Sequence, residues 1–374
     1  MSIAVSPPTS SDAPDAPEVP VSASPVRLTS GQLPRWTPWA LLGGTAVAMA
    51  LVFLLLAQSV QDEFNIAGWA IVTALVYLTL ITIISATVEG RRKATDRLVT
   101  GVVSSAFILA MVPLVSVAIT VVSNGVAGIS AEFFSNSMRN VVGEGGGALH
   151  AIMGTLLITL AAAVISIPIG IFTAIYLIEY GNNNRLARGI TFLVDVMTGI
   201  PSIVAGLFAF ALFALFFGPG VRMGIMGSIA LSVLMIPVVV RSTEEMLRLV
   251  PNELREASYA LGVPKWRTIA KVVLPTSIAG ITTGVMLSIS RVIGETAPLL
   301  ITAGVATSMN YDLFDGRMAS LPVFVYSQYM NQGIPAQAFV DRAWAGALTL
   351  IVIVMVLNLV ARLIAKIFAP KMGR

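Results

Sequence analysis

Eight runs of apolar residues occupy just over half of this 374-residue chain, and most are long enough to cross a bilayer as a helix. Their limits are 38–60, 66–87, 98–123, 151–179, 190–217, 225–240, 278–303 and 343–365. Backbone exposed to lipid must satisfy its own hydrogen bonds, so runs of this kind fold as helices. The expected fold is an all-α membrane protein of about eight transmembrane helices. Charged residues make up only 11% of the chain, against about 25% in a soluble protein. The sixth run is short and is expected to extend past Arg241, placing that arginine near the membrane surface. Pro113, Pro168, Pro201, Pro237 and Pro298 fall within the runs and read as kinks, which membrane helices tolerate.

Lysine and arginine positions orient the spans. With the N-terminus inside, 18 of the basic residues lie on the cytoplasmic side and four, Arg139, Arg222, Arg317 and Arg342, on the other; Arg291 is within a span. The positive-inside rule then puts both termini and the 241–277 loop in the cytoplasm, the chain being a multi-pass protein of the cytoplasmic membrane. The net charge of +4 follows from this asymmetry; no basic patch with interleaved aromatics suggests nucleic acid. Residues 1–37, with Pro7, Pro8, Pro14, Pro17, Pro20 and Pro25 and no periodic face, read as a disordered cytoplasmic tail and not as a signal peptide.

Several chemistries are excluded. There is no cysteine, hence no disulfide, thiolate metal site or cysteine nucleophile. The single histidine, His150, stands just before a span and reads as a membrane-interface residue. No Gly-x4-Gly-Lys-Ser/Thr stretch is present to cradle nucleotide phosphates. Gly143, Gly145, Gly146 and Gly147 have neither the spacing nor the context of such a loop and read as a flexible external linker.

The segment Thr243–Pro275, TEEMLRLVPNELREASYALGVPKWRTIAKVVLP, is charged and helix-forming between two apolar stretches. Pro251 and Asn252 break one helix and start another, with Glu256 in its opening turns. Gly262 ends that helix, Pro264 follows, and an amphipathic stretch from Lys265 to Val273 leads back into apolar sequence. A solvated loop is the plain alternative. A second signal is Arg291 within the seventh run, with Glu295 four residues on and so on the same face of a helix. Buried charges in hydrocarbon cost roughly 2.5–3.5 kcal/mol on insertion scales and face a cavity or a partner. An Arg–Glu pair pinning helices together is one reading. The other is an anion pathway in which the Arg291 guanidinium offers forked donors to an oxyanion, Glu295 holds or releases it, and Thr296 adds a hydroxyl.

Glu256-Ala257-Ser258, three residues, Gly262, nine residues and Val272-Val273-Leu274-Pro275 resemble the EAA loop of ABC importer permeases. Ser258 stands for the third alanine and Val272 for isoleucine. The resemblance implies that Glu256, Ala257, Ser258, Gly262, Leu274 and Pro275 belong to the element that couples the permease to an ATPase. RVIGETAPLL and RSTEEMLRLVPNELREASYALG resemble, more narrowly, permease subunits of phosphate importers of the PstA type, over roughly residues 98–370. The last six spans would then form a type I ABC importer (MetI-like) permease domain over 98–370, with the coupling loop at 241–277. Residues 38–97 would be an extra transmembrane hairpin, acidic at Asp62-Glu63, followed by a basic cytoplasmic loop.

What the resemblance implies is a transport subunit for inorganic phosphate, not an enzyme, working by alternating access with Arg241 and Arg291 on the substrate pathway. No cofactor is expected in this chain; ATP and magnesium would be bound by two copies of a PstB-like ATPase. The other implied partners are a homologous PstC-like permease and an external PstS-like phosphate-binding protein, in a lipid bilayer. The external segments 124–150 and 305–342 are the natural surface for an external partner. Other readings stay open: another oxyanion such as sulfate, molybdate or phosphonate, an ion-coupled secondary transporter, or a sensor subunit whose loop docks a regulator.

Overall fold

A computed structural model describes residues 31–60, 64–181 and 184–368, and no strand occurs among them. The tail up to residue 30 and the acidic turn Asp62-Glu63 lie outside the described residues. The helices are α1 (Thr37–Val60), α2 (Ile66–Val88), α3 (Arg91–Gly125), α4 (Ala131–Ser135), α5 (Leu149–Ile175), α6 (Arg185–Thr198), α7 (Ser202–Phe217), α8 (Gly224–Arg248), α9 (Asn252–Ala260), α10 (Lys265–Thr268), α11 (Leu274–Val292), α12 (Ala297–Thr302), α13 (Leu321–Met330) and α14 (Ala336–Phe368). A π-helical turn, Tyr176–Tyr180, prolongs α5, and a second, Ile269–Val273, joins α10 to α11. Seven helical stretches are long and apolar enough to cross a membrane, and the bent pair α6–α7 brings the number to as many as eight.

Two compact units are present, with the division inside α3 after Val115. In the first, α1 and α2 pack as a hairpin, and the indole N–H of Trp69 donates to the Ala46 carbonyl at 3.0 Å. Glu89, at the end of α2, accepts from Arg97 Nε (2.7 Å) and Nη2 (3.0 Å), from Ser85 Oγ (2.8 Å) and from the Leu33 backbone N–H (3.0 Å). These bonds hold the Glu89 carboxyl well below the usual range, at about 2, Arg97 being the largest influence. One carboxylate thus ties the segment before α1, the end of α2 and the start of α3 together.

In the second unit α8 is the central helix, packed by α5, α6, α7, α11 and α12. Lipid tails are as apolar as leucine, so such helices associate by close packing and hydrogen bonds more than by water exclusion. The sequence provides both. A Cβ on Gly170 of α5 would lie 2.6 Å from Val239, and one on Gly227 of α8 would lie 2.9 Å from Leu299. Ser228 and Ser232 donate across the interface to the carbonyls of Ile158 (3.0 Å) and Ala162 (3.4 Å). Ile158, Leu231, Met235, Val239 and Val292 are fully buried around them.

Two expected spans are corrected. The run 190–217 is not one helix: α6 and α7 meet at 111°. Gly199 caps α6, and Pro201 lacks an N–H and disfavours helix at Ile200, so the ladder cannot continue. The run 278–303 is likewise interrupted. Its helix ends at Val292 and resumes at Ala297, because the Pro298 ring would clash with the carbonyl four residues back, at Gly294. Pro113, Pro168 and Pro237 remain inside unbroken helices, as kinks would allow. The sixth span extends past Arg241 to Arg248 as expected.

The glycine-rich stretch is a built turn and not a loose linker. Gly143, Gly145 and Gly146 take positive φ, and buried Arg342 donates to the carbonyls of Gly143 (2.7 Å) and Gly145 (2.9 Å). His150, read as an interface residue, is buried in the first turn of α5, edge-on to Phe324 at 5.7 Å.

Candidate functional site: a clamped loop and a broken helix

Helix α9 and its flanks form the first part of the site. Pro251 starts α9 with extended ψ. At the far end the Gly262 N–H donates to the Tyr259 carbonyl (2.9 Å) and the Val263 N–H to the Ser258 carbonyl (3.2 Å), the two bonds of a Schellman end. Gly262 has φ +75 and open space where a Cβ would be, so glycine is required for its backbone conformation alone. The acidic residue of the first turn is Glu253; Glu256 lies one turn further on and is exposed with Ala257. Leu261 and Trp266 are 83% and 60% exposed, so α9 and α10 present an apolar surface left uncovered among the described residues. Leu274 and Pro275 open α11, directly after the π turn.

The loop is clamped from behind. Arg255 donates to Glu179 from Nη2 (2.9 Å) and Nε (3.1 Å), and also to the carbonyls of Leu247 (2.9 Å) and Val250 (2.7 Å). Glu179 lies in the π turn ending α5, and the Lys265 ammonium donates to its carbonyl. Ser258, buried, shares a hydrogen bond with Thr268 on α10 at 2.8 Å. The serine that departs from the EAA pattern therefore has a partner.

Arg241, in α8, donates to Glu244 Oε2 (2.8 Å) and to Asp195 of α6, so its charge is shared between two carboxylates. Arg291 lies in the last turn of α11, exposed, and forms no ion pair among the described residues. Glu295 is not on its helix face: the helix has ended, and the Glu295 N–H closes a turn onto Val292 (3.1 Å). Arg241 and Arg291 are not brought together. Ser242 packs against Gly284 of α11, and Arg291 is seven residues beyond Gly284, about 10 Å along the axis. Thr296, at the start of α12, lines an open cavity of about 510 Å3 with Ala297, Leu300, Pro322, Val325, Tyr326, Tyr329 and Met330.

Sequence reasoning missed Glu179, Arg255, Thr268, Asp195 and Glu244. The one available signal was a lone carboxylate inside or at the end of an apolar run, as at Glu179 and Asp195, since such a charge needs a partner. No group of histidine, aspartate and glutamate suited to a metal ion occurs among the described residues.

Residues 166–374 match the family of binding-protein-dependent transport system inner membrane components. Curated relatives include "Phosphate transport system permease protein PstA 1" of Mycobacterium tuberculosis (strain CDC 1551 / Oshkosh), 46% identical over 277 residues, which cover 73% of this chain and 90% of the relative. The Mycobacterium leprae phosphate transport system permease protein PstA is 47% identical over 272 residues, 72% of this chain and 88% of that one. Among solved structures, a chain of a bacterial alginate ABC transporter in complex with an alginate-bound periplasmic protein aligns with TM-score 0.52 at 15% identity, covering 75% of this chain and 97% of that chain. That last likeness concerns the fold alone.

Proposed function

Since the chain belongs to the binding-protein-dependent transport system inner membrane components, and among them to the PstA-type permeases, we propose that it is the subunit through which an ATP-driven importer moves inorganic phosphate across the cytoplasmic membrane. The observation that carries the reading is α9: a short helix with an uncovered apolar surface, fixed from behind to the ends of α5 and α8 by Arg255. A surface of this kind suits a seat in another subunit, and its rear attachment turns any push on α9 into movement of two spans. Glu256, Ala257, Ser258, Gly262, Leu274 and Pro275 are the coupling residues in this scheme.

The partner seated on α9 is a PstB-like ATPase, present twice, which binds ATP and magnesium; a PstC-like permease completes the channel and a PstS-like protein delivers phosphate from outside. Both termini and the 241–277 loop are cytoplasmic. The permease domain runs over 98–370, after the tail 1–37 and the hairpin region 38–97. ATP closure drives α9, α5 and α8 together and exposes the pathway to one side or the other. Arg291, at the helix break and without an ion pair among the described residues, offers forked donors to the anion. Glu295 and Thr296 follow it at the break, with Thr296 opening onto the cavity. Arg241, now held by Asp195 and Glu244, exchanges those carboxylates for substrate when α6 and α8 separate.

Radiolabelled phosphate uptake in cells lacking their own high-affinity importer, complemented with the full gene set, tests this. Uptake is expected to depend on ATP, to be blocked by arsenate but not sulfate, and to be lost in Arg291→Ala and Glu256→Lys. Uptake that collapses with the proton gradient while ATP persists, or that prefers sulfate, would overturn the energy source or the substrate.

A further inference from the structure

Three segments meet at the end of α12 remote from the helix break. The Met223 N–H donates to the Thr302 carbonyl (3.3 Å), the Met318 N–H to Ala303 (3.2 Å) and the Ile225 N–H to Leu313 (2.8 Å). At their junction sits Gly304, buried, with φ +78. A Cβ there would lie 3.0 Å from Arg222 Cδ, 3.4 Å from Arg222 Nη1 and 3.5 Å from Arg317 Cδ. Two arginines from different loops therefore run past one residue that must be glycine, for its backbone and for its lack of a side chain.

Neither arginine forms an ion pair among the described residues. Ion pairs among the described residues are confined to Arg97–Glu89, Arg241 with Asp195 and Glu244, and Arg255–Glu179. The carboxylates of the adjoining loop are not partners: Asp312 Oδ1 accepts the Phe314 N–H at 2.8 Å, and Asp315 forms no ion pair. Asn310 Nδ2 donates to the carbonyls of Asp315 (2.8 Å) and Arg317 (3.1 Å), which fixes the loop that presents Arg317. Arg222 is half-buried and Arg317 is exposed, so the pair is reachable from solvent. The stems of both side chains flank the same glycine, which brings two like charges into one neighbourhood, and a bound anion lowers their repulsion.

We infer that Arg222 and Arg317 form an oxyanion-receiving station, which takes inorganic phosphate before it reaches Arg291. The station rests on the phosphate-importer reading and on the proposed orientation, which puts this end of α12 outside. Two guanidinium groups carry forked donors of the kind that suit a tetrahedral oxyanion. The six residues of α12 span about 9 Å, so the station and the break with Arg291 and Thr296 stand at opposite ends of one short helix. Unlike Arg241, neither arginine has to give up a carboxylate to receive the anion.

Arginine modification by phenylglyoxal, read by peptide mass spectrometry on the whole importer in zwitterionic lipid nanodiscs, measures occupancy of the station. Phosphate is expected to protect Arg222 and Arg317 together, and chloride at equal ionic strength to protect neither. Absence of protection by phosphate overturns the proposal. So does protection that appears only in nanodiscs containing anionic lipid, which would assign the pair to a lipid headgroup. In proteoliposomes, the assembled R222Q/R317Q importer is expected to take up phosphate about tenfold more slowly at subsaturating concentration, with R222K/R317K recovering much of the rate. Assembly is checked by size exclusion. A wild-type importer that moves no phosphate defeats the functional reading itself. Wild-type transport matched by R222Q/R317Q defeats the station alone.

Discussion

Arg255 of α9 reaches Glu179 at the end of α5, 76 residues earlier in the chain, through two donors at 2.9 and 3.1 Å, with both side chains nearly buried. The same guanidinium holds the Leu247 carbonyl in the last turn of α8 and the Val250 carbonyl just beyond it. One side chain therefore joins the coupling helix to two spans.

Removing one partner of this pair leaves the other charged and buried, which costs about 3–5 kcal/mol where the site cannot relax. Glu179→Gln and Arg255→Gln are expected to lower the thermal midpoint of the purified importer and to leave ATP hydrolysis running with reduced phosphate uptake. The ratio of phosphate moved to ATP hydrolysed in proteoliposomes checks the second effect; an unchanged ratio would show that the clamp does not transmit movement.

Gly262 separates conformation from crowding. Its φ of +75 disfavours side chains, yet nothing lies within 4 Å of a Cβ built there. Asparagine visits the left-handed region readily and β-branched residues do not. Gly262→Asn is expected to retain most uptake, and Gly262→Val to lose it while still inserting into the membrane. Equal loss in both would mean that the glycine matters for the space it leaves to another subunit.

The Ser258–Thr268 bond makes a graded prediction. Thr268→Val strands a buried hydroxyl and is expected to cost about 1–3 kcal/mol, whereas Ser258→Ala with Thr268→Val together should be milder than the single change, since neither polar group remains. Chemical denaturation of the detergent-solubilised importer, followed by fluorescence, compares the two. A double variant less stable than both single variants would refute the pairing.

The Glu89 cluster gives a pH dependence. Its folded pKa, about 2, lies below the ordinary 4.5, so its stabilising effect is complete above 4.5 and is lost as pH falls from there through 2. Limited proteolysis between Val88 and Arg97 is expected to rise over that window in the wild type and to be high at neutral pH in Glu89→Gln. A flat wild-type profile would show that Glu89 does not hold these segments.

The sequence by itself determined what depends on neighbours along the chain. Apolar runs fixed the helical membrane fold, because lipid leaves the backbone no other way to bond. Pro251, Gly262 and Pro264 fixed the ends of α9, because caps are made from residues a few positions apart. Even the extension of α8 past Arg241 was legible, from the length a span requires. The tertiary structure decided where distant segments meet. A proline in an apolar run is compatible with a kink or a break, and the folded chain makes Pro237 the first and Pro201 and Pro298 the second. The i,i+4 spacing of Arg291 and Glu295 implied one face only while the helix continued, and it ends between them. Arg241 with Asp195, Arg255 with Glu179, and Arg222 beside Arg317 join residues from 46 to 95 positions apart. No local pattern encodes such proximities, because the sequence states only that a charge is present and the fold decides what it meets.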